Sequence, residues 1–312
     1  MSRIPSAVPR MATGSLASLG VRPLAGIITL ISSSWALSAL DASGKWVMAA
    51  GVSLWVLSWV RYSVHLLLVL GLVLPVRGPR VLRSVKPRAQ LLRGSIMLLA
   101  TLCFFKTLSY LPQAEATAIN FLAPLIMLSL APWVLKEPSR VSRWVAAAIG
   151  FIGVLIIIRP NGGLHPVGVV WGLATAFTFA AQFLATRRVA VDDPLTTLVW
   201  SGAVGTVVLS ASMPFLLPDA LPVLRALEPL HWVVLLATGV FGAAGHLLQI
   251  QAYRYAPASL LAPFLYLQIV AAAAMGWLVW GQFPDAVSWL GIAVICGSGA
   301  GLTVWEWKRK PA

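Results

Sequence analysis

Charged and amide side chains are scarce in this chain, so those set inside its apolar stretches are where chemistry is to be sought. Arg61 and Lys106 fall within long apolar runs, His65 follows Arg61 by one helical turn, and Asp41 and Glu115 lie near run ends. An ionisable group at such depth in a membrane costs several kcal/mol unless it finds a partner, which makes each a functional candidate. Thr117, Asn120 and Pro124 are spaced i, i+3, i+7 and share one helical face. Asn120 in mid-run calls for another helix or a wet cavity. Pro124 is expected to remove a backbone hydrogen bond within the span and turn a carbonyl toward that cavity. His246, Gln249 and Tyr253 repeat the spacing, Gln182, Tyr266 and Gln268 add donors and acceptors, and Trp35 and Trp171 are placed to stack on a planar solute.

These residues suit binding better than bond-making. The four histidines are scattered at 65, 165, 231 and 246, with no HExxH, no paired acids and no GxxxxGK[ST] loop. A membrane enzyme would need convergent acids and histidines or a metal cluster at one face. Cys103 and Cys296 belong to no CxxC pattern and read as buried small hydrophobes. No catalytic residue, metal or cofactor is expected. Lys106, four residues before Tyr110, could hold an anionic or carboxylate group, pair with Glu115, or snorkel to the headgroups. Arg61 could neutralise Asp41 across the first two helices, and His65 reads as a buried histidine with a backbone partner. Asp41 and Lys45, one turn apart, suggest an ion pair at a helix end. Asp41, Arg61 and Glu115 are the candidates for coupling or gating.

The elements that must position these groups follow from composition. Of 312 residues, 59% are hydrophobic and 10% charged, with mean hydropathy +0.87. Soluble domains carry about 25% charge, so this surface faces lipid. Crossing the hydrocarbon core takes about 20 apolar residues. Ten segments qualify: 24–44, 52–75, 90–110, 113–135, 142–160, 166–187, 195–217, 230–252, 257–280 and 286–306. With the N-terminus in the cytoplasm, 18 of the 23 Lys and Arg fall inside and three, Lys45, Arg159 and Arg225, outside. That is the bias expected of a membrane topology, and it places both termini in the cytoplasm. The formal charge of +14 is spread over short loops, which excludes nucleic acid as the partner. Residues 1–22 lack the order of a cleaved signal peptide.

Offsetting the sequence by 145 residues aligns Tyr110-Leu111-Pro112 with Tyr255-Ala256-Pro257, Lys106 with Gln251, Glu137 with Gln282, and Trp144 with Trp289. Five spans per repeat is an odd number, so the halves cross in opposite directions, an arrangement common in secondary transporters. The expected fold is all-α and integral to the membrane: a cytoplasmic segment 1–22, five helices over 23–160, five over 166–307, and a tail 308–312.

The stretch from Tyr110 to Pro160 resembles an EamA domain of the drug/metabolite transporter superfamily. Ala116-Thr117-Ala118, Pro124-Leu125, Lys136-Glu137, Arg143-Trp144 and Gly150/Gly153 carry the likeness, as do Asp41, Lys45 and Arg61-Tyr62 upstream. The second half departs, with Gln282 in place of the loop acid and Ser298 aligned with Gly153. The resemblance implies ten helices in two EamA repeats and movement of small organic solutes across a bacterial inner membrane. Its substrate range includes amino acids, sugars, cofactors, drugs and nucleotide precursors. The reading is a secondary transporter of small polar metabolites, with lipid around it, a proton or counter-solute as coupling partner, and a monomer or homodimer as its form. Riboflavin or nucleoside-like cofactor uptake is the narrower alternative. A membrane enzyme or flippase acting on a lipid-linked substrate is the alternative of another class.

Overall fold

The structure is a computed structural model that describes residues 22–135, 141–159 and 163–308. Arg3, Arg10, the Lys136-Glu137 loop and the last tail residues lie outside the described residues.

Among these, everything regular is helix. The order is α1 (Pro23–Ala49), α2 (Leu54–Arg77), a short 3-10 turn at Pro79–Leu82, α3 (Pro87–Leu108), α4 (Gln113–Asn120), α5 (Ala123–Leu135) and α6 (Val141–Ile158). There follow α7 (Pro166–Arg188), α8 (Pro194–Ala226), α9 (Pro229–Tyr255), α10 (Ala258–Leu265), α11 (Leu267–Trp280) and α12 (Ala286–Lys308). Proline opens α1, α3, α7, α8 and α9, where its missing N–H has no helical partner to lose. Ser53 caps α2 by accepting from the Val56 N–H at 3.3 Å, and Asp193 caps α8 by accepting from Leu195 N–H at 2.7 Å.

Among the described residues, eight helices are long and apolar enough to cross a bilayer, taking α4 and α5 together. Three departures from the expected spans are informative. The run 113–135 breaks at Phe121-Leu122, and the run 257–280 breaks at Tyr266. The run 257–280 is apolar on both sides of its break; in 113–135 the polar first part, with Gln113, Glu115, Thr117 and Asn120, is averaged out by the apolar residues that follow, so hydropathy registers one span. Pro124 consequently sits in the first turn of α5, where proline is tolerated, and not in mid-helix. In the third, α8 continues past the expected end at 217 to Ala226, through Pro214, Pro218 and Pro222. Their i, i+4, i+8 spacing puts the missing N–H of Pro218 and of Pro222 opposite the carbonyl of the proline before it, so the loss is confined to one side of the helix.

The helices pack mainly across the midpoint of the sequence. α1 lies along α9 and α3 along α7; α2 packs on α8 and α9, and α6 on α12. The α6–α12 crossing is nearly backbone on backbone. A Cβ on Gly153 would sit 2.9 Å from the Gly291 carbonyl oxygen, and one on Gly291 2.6 Å from that of Gly153. One continuous core, including Leu57, Leu108, Ile119, Leu125, Ile157 and Ile269, runs through the middle. Leu67, Leu72, Phe151, Phe215 and Leu278 project outward, an apolar exterior that a lipid environment satisfies.

Candidate functional site

The two helix breaks meet. The Phe121 and Tyr266 rings, each at its break, lie 5.1 Å apart centre to centre. Tyr266 points its hydroxyl at Gly299 of α12, where any side chain would collide with it. The last turn of α4 and the first turn of α5 therefore face the corresponding ends of α10 and α11.

α4 brings the predicted Thr117 and Asn120 to this point, together with Gln113, which the sequence did not single out. Gln113, Thr117 and Asn120 fall on one helical face at i, i+4, i+7. Gln113 and Thr117 are buried and Asn120 half-buried. The Gln113 Nε2 donates to the Ser38 carbonyl of α1 at 2.8 Å, and Ser38 Oγ donates to the Gln268 carbonyl of α11 at 3.4 Å. This leaves Gln113 Oε1, Thr117 Oγ1 and Asn120 Oδ1 without a hydrogen-bond partner. Pro124 also has no N–H to return to the Asn120 carbonyl. An unpaired buried polar atom costs about 1–3 kcal/mol, and three on one face of a short helix mark where the fold leaves bonding capacity open.

A second polar group surrounds Arg61. Its Nη1 donates to Thr101 Oγ1 at 3.1 Å, which is also 3.0 Å from the Tyr62 hydroxyl. The guanidinium lies over the Tyr62 and Phe105 rings. Asp41 is buried and within electrostatic reach of Arg61. No ion pair forms between them among the described residues, so the expected bridge is absent as a direct contact. His65 bonds the Gly242 backbone and meets His246 edge-on at 5.8 Å. His246 in turn bonds the Gln249 side chain, while Tyr253, on the same face, is largely exposed.

Lys45 closes the end of the molecule beyond this group. It makes no bond with Asp41. Its Nζ donates to the Leu111 carbonyl at 2.9 Å and to Gln282 Oε1 at 3.3 Å, over the Trp280 ring. Spacing alone suggested Asp41 because the two are one turn apart; Lys45 turns away because the turn before α4 and the α11–α12 loop offer it free oxygens. Gln282, the residue that departs from the family pattern, thus has a defined contact. Glu115, buried alongside, shares a hydrogen bond with Ser288 and keeps Oε2 unpaired. Arg159 pairs with Asp285, whose carboxylate also caps α12 through the Ser288 N–H at 2.8 Å. Those bonds, Arg159's first, hold Asp285 well below the usual carboxylate range.

Other predicted residues lie elsewhere. Lys106 does not reach Glu115; its Nζ is over the Tyr110 ring, which stacks on His165 at 4.8 Å. Trp35 and Trp171 are 40% and 36% exposed and are not part of the buried polar group. Gln182 donates to Thr186 Oγ1, which also accepts from Arg93 Nε at 2.8 Å. At that end Asp192, missed in the sequence, accepts from Ser84 Oγ at 2.5 Å, Val85 N–H at 2.7 Å and Gln90 Nε2 at 2.8 Å. Burial raises its pKa, and these bonds together with Lys86 outweigh that, leaving it below the ordinary value. Its position in a short loop next to Asp193 gave no signal. An open groove of 860 Å³ runs between α6 and α12; apart from Ser142 and Ser298 its lining is apolar, and it holds none of the predicted site residues.

The sequence compares with known proteins over nearly its whole length. The model of the EamA-like transporter family matches residues 24–159 and again 166–304. A riboflavin transporter of Vibrio cholerae is 26% identical over 295 residues, covering 94% of this chain and 97% of that protein. An S-adenosylmethionine uptake transporter of Rickettsia prowazekii is 24% identical over 70% of this chain and 72% of its own length. A pseudopaline exporter of Pseudomonas aeruginosa is 28% identical over 66% and 72%. One solved crystal structure superposes with a TM-score of 0.61 at 19% identity, over 92% of this chain and 98% of that one, a likeness of fold. The relatives are named for carrying solutes, not for converting them, and both halves match one family model. A multi-pass membrane protein of this kind is a transporter and not an enzyme: the chain belongs to the EamA-like transporter family.

Proposed function

We propose that this chain is a secondary transporter that carries a small polar organic metabolite across the inner membrane by alternating access, with the substrate held where the two helix breaks meet. The observation that carries the reading is the pair of breaks itself. α4 and α10 are eight residues each, both capped by proline, and their ranges differ by 145 residues, the offset of the sequence repeat. Discontinuous helices at corresponding places in two halves are how inverted-repeat transporters form midplane sites.

The packing supports two inverted five-helix units and ten crossings. Exchanging the halves turns the α1–α9 contact into α7–α3 and the α1–α11 contact into α7–α5, while α2–α8 and α6–α12 map onto themselves. In this reading both termini are cytoplasmic, Thr117, Asn120 and Tyr266 line the site, and Lys45 with Gln282 and Trp280 closes the outer end.

The test is metabolite profiling of cells and medium with the protein overexpressed, against an empty vector and the Asn120→Ala variant at matched protein level. One solute that moves between cell and medium only with the intact protein is the expected result. No change in any soluble metabolite sinks the reading and turns attention to lipid-linked substrates. A planar cofactor such as riboflavin is the narrower reading, favoured by the aromatic pair at the breaks and by the near full-length riboflavin-transporter relative.

A further inference from the structure

The unpaired atoms on α4 share one property beyond being buried. On one face, Gln113 Oε1, Thr117 Oγ1 and Asn120 Oδ1 are all oxygens that accept hydrogen bonds, and none has a partner; Glu115 Oε2, on another face of the helix, is unpaired too. The Gln113 amide is fixed in this sense by its own donation to Ser38. Pro124, four residues on, has no N–H to offer the Asn120 carbonyl. Amide and carbonyl oxygens cannot donate, and a threonine hydroxyl has two acceptor lone pairs. A ligand that brought only carboxylate or phosphate oxygens could take the Thr117 hydroxyl proton but would leave the Gln113 and Asn120 amide oxygens unbonded.

Nearby cations do not answer the need. Lys45 is engaged at Leu111 and Gln282, and Arg61 at Thr101. Beside the row lie Ser38 of α1, whose carbonyl and hydroxyl are already used, and the Phe121–Tyr266 pair at the helix breaks. Aromatic rings beside acceptor oxygens suit a cation that carries hydrogens. Thr117 and Asn120, one turn apart, are within reach of a single nitrogen.

We infer that the α4 row is the recognition site for an ammonium or amine group of the transported molecule, bonded by Thr117 and Asn120, with Gln113 taking a further N–H donor. The inference deepens the transport reading by assigning the chemistry of one end of the substrate, and it replaces an anionic group as the feature this face selects.

The experiment is a binding titration that needs no transport. The purified full-length protein in detergent is melted by tryptophan fluorescence, excited where simple phenyl compounds do not absorb. The probes are phenethylamine, 2-phenylethanol and 3-phenylpropionate, alike except for ammonium, hydroxyl or carboxylate, together with ethanolamine and putrescine. The ammonium compounds raise the melting temperature saturably and the carboxylate does not. Thr117→Val and Asn120→Leu each move half-saturation up about tenfold, about 1.4 kcal/mol, while Thr117→Ser, which keeps the oxygen, titrates as wild type. Without ligand, Thr117→Val melts no lower than wild type, because the hydroxyl it removes is bonded to nothing; a merely structural threonine would show a loss. The inference is overturned if the carboxylate binds as well as the amine, if no ammonium compound shifts the melt, or if both variants titrate unchanged. Failure of transport is distinguishable: a chain that binds amines but moves no solute keeps this site and loses the transport reading, and the converse holds.

Discussion

Lys45 shows what a single side chain does between two halves of a membrane protein. Its ammonium bonds a carbonyl ahead of α4 and the Gln282 side chain of the α11–α12 loop, elements that separate at the outer end in the proposed alternating-access reading. A charged hydrogen bond of this kind contributes about 1.5–3 kcal/mol, which shifts the closed-to-open ratio tenfold or more toward closed. Lys45→Met is therefore expected to raise the rate at which a water-soluble maleimide modifies a cysteine placed at Ser38, by about tenfold. An unchanged rate would remove Lys45 from the closure. Residues of this sort are hard to read in sequence, since Asp41 and Gln282 are equally available to a lysine until the loop is placed. Thr117 and Asn120 were legible, because a polar residue in an apolar run has few harmless explanations. Asp192 was not, because a loop aspartate is ordinary until Ser84, Val85 and Gln90 close around it.

The helices themselves were mostly legible: apolar length, flanking prolines and basic loops predict nearly every one. The two breaks were not: the apolar character of 257–280 does not change at its turn, and in 113–135 the step from the polar first helix to the apolar second is averaged out over a span-length window. Pro124 was the visible clue and pointed to the wrong turn; it starts α5 and does not interrupt it. A first-turn proline sacrifices no helical hydrogen bond, so Pro124→Ala is expected to leave the melting temperature within a few degrees of wild type, whereas a mid-helix proline would have shifted it. The α6–α12 crossing makes the opposite prediction. Gly153→Val puts a branched side chain against the Gly291 carbonyl and Ile295, and overpacking of this kind destabilises by about 1–3 kcal/mol. A melting temperature equal to wild type would mean that the two helices can separate at little cost.

At the scale of the whole molecule, the Asp192 cluster ties the α2–α3 loop to the α7–α8 loop. Its folded pKa lies below the ordinary value of 3.8. The unfolded chain therefore takes up a proton first as pH falls, so the stability from this group is complete above about pH 4 and is lost below it, as pH passes through the folded value. Asp192→Asn should melt a few degrees lower than wild type at pH 7, by an equal margin at pH 5, and with a narrowing gap below about pH 4. A gap that grows with acidity would reverse the assignment. The repeat was legible from Tyr110-Leu111-Pro112 and its counterpart, but which helix of one half touches which of the other was not, since an offset in sequence carries no information about partners.

That cross-packing has a consequence for how the protein is made. α1 finds its main partner in α9, α3 in α7 and α6 in α12, all encoded after the midpoint. When the first half leaves the ribosome, Arg61, Asp41 and the α4 oxygens are already in the bilayer while the helices that enclose them have not been synthesised. Helices α1 to α6 must therefore wait in the membrane as an unfinished surface, sheltered by the insertion machinery or by lipid defects, until translation of the second half completes it. A chain cut between Arg159 and His165 should yield two fragments that are degraded when made singly and that persist, and assemble, only when produced together.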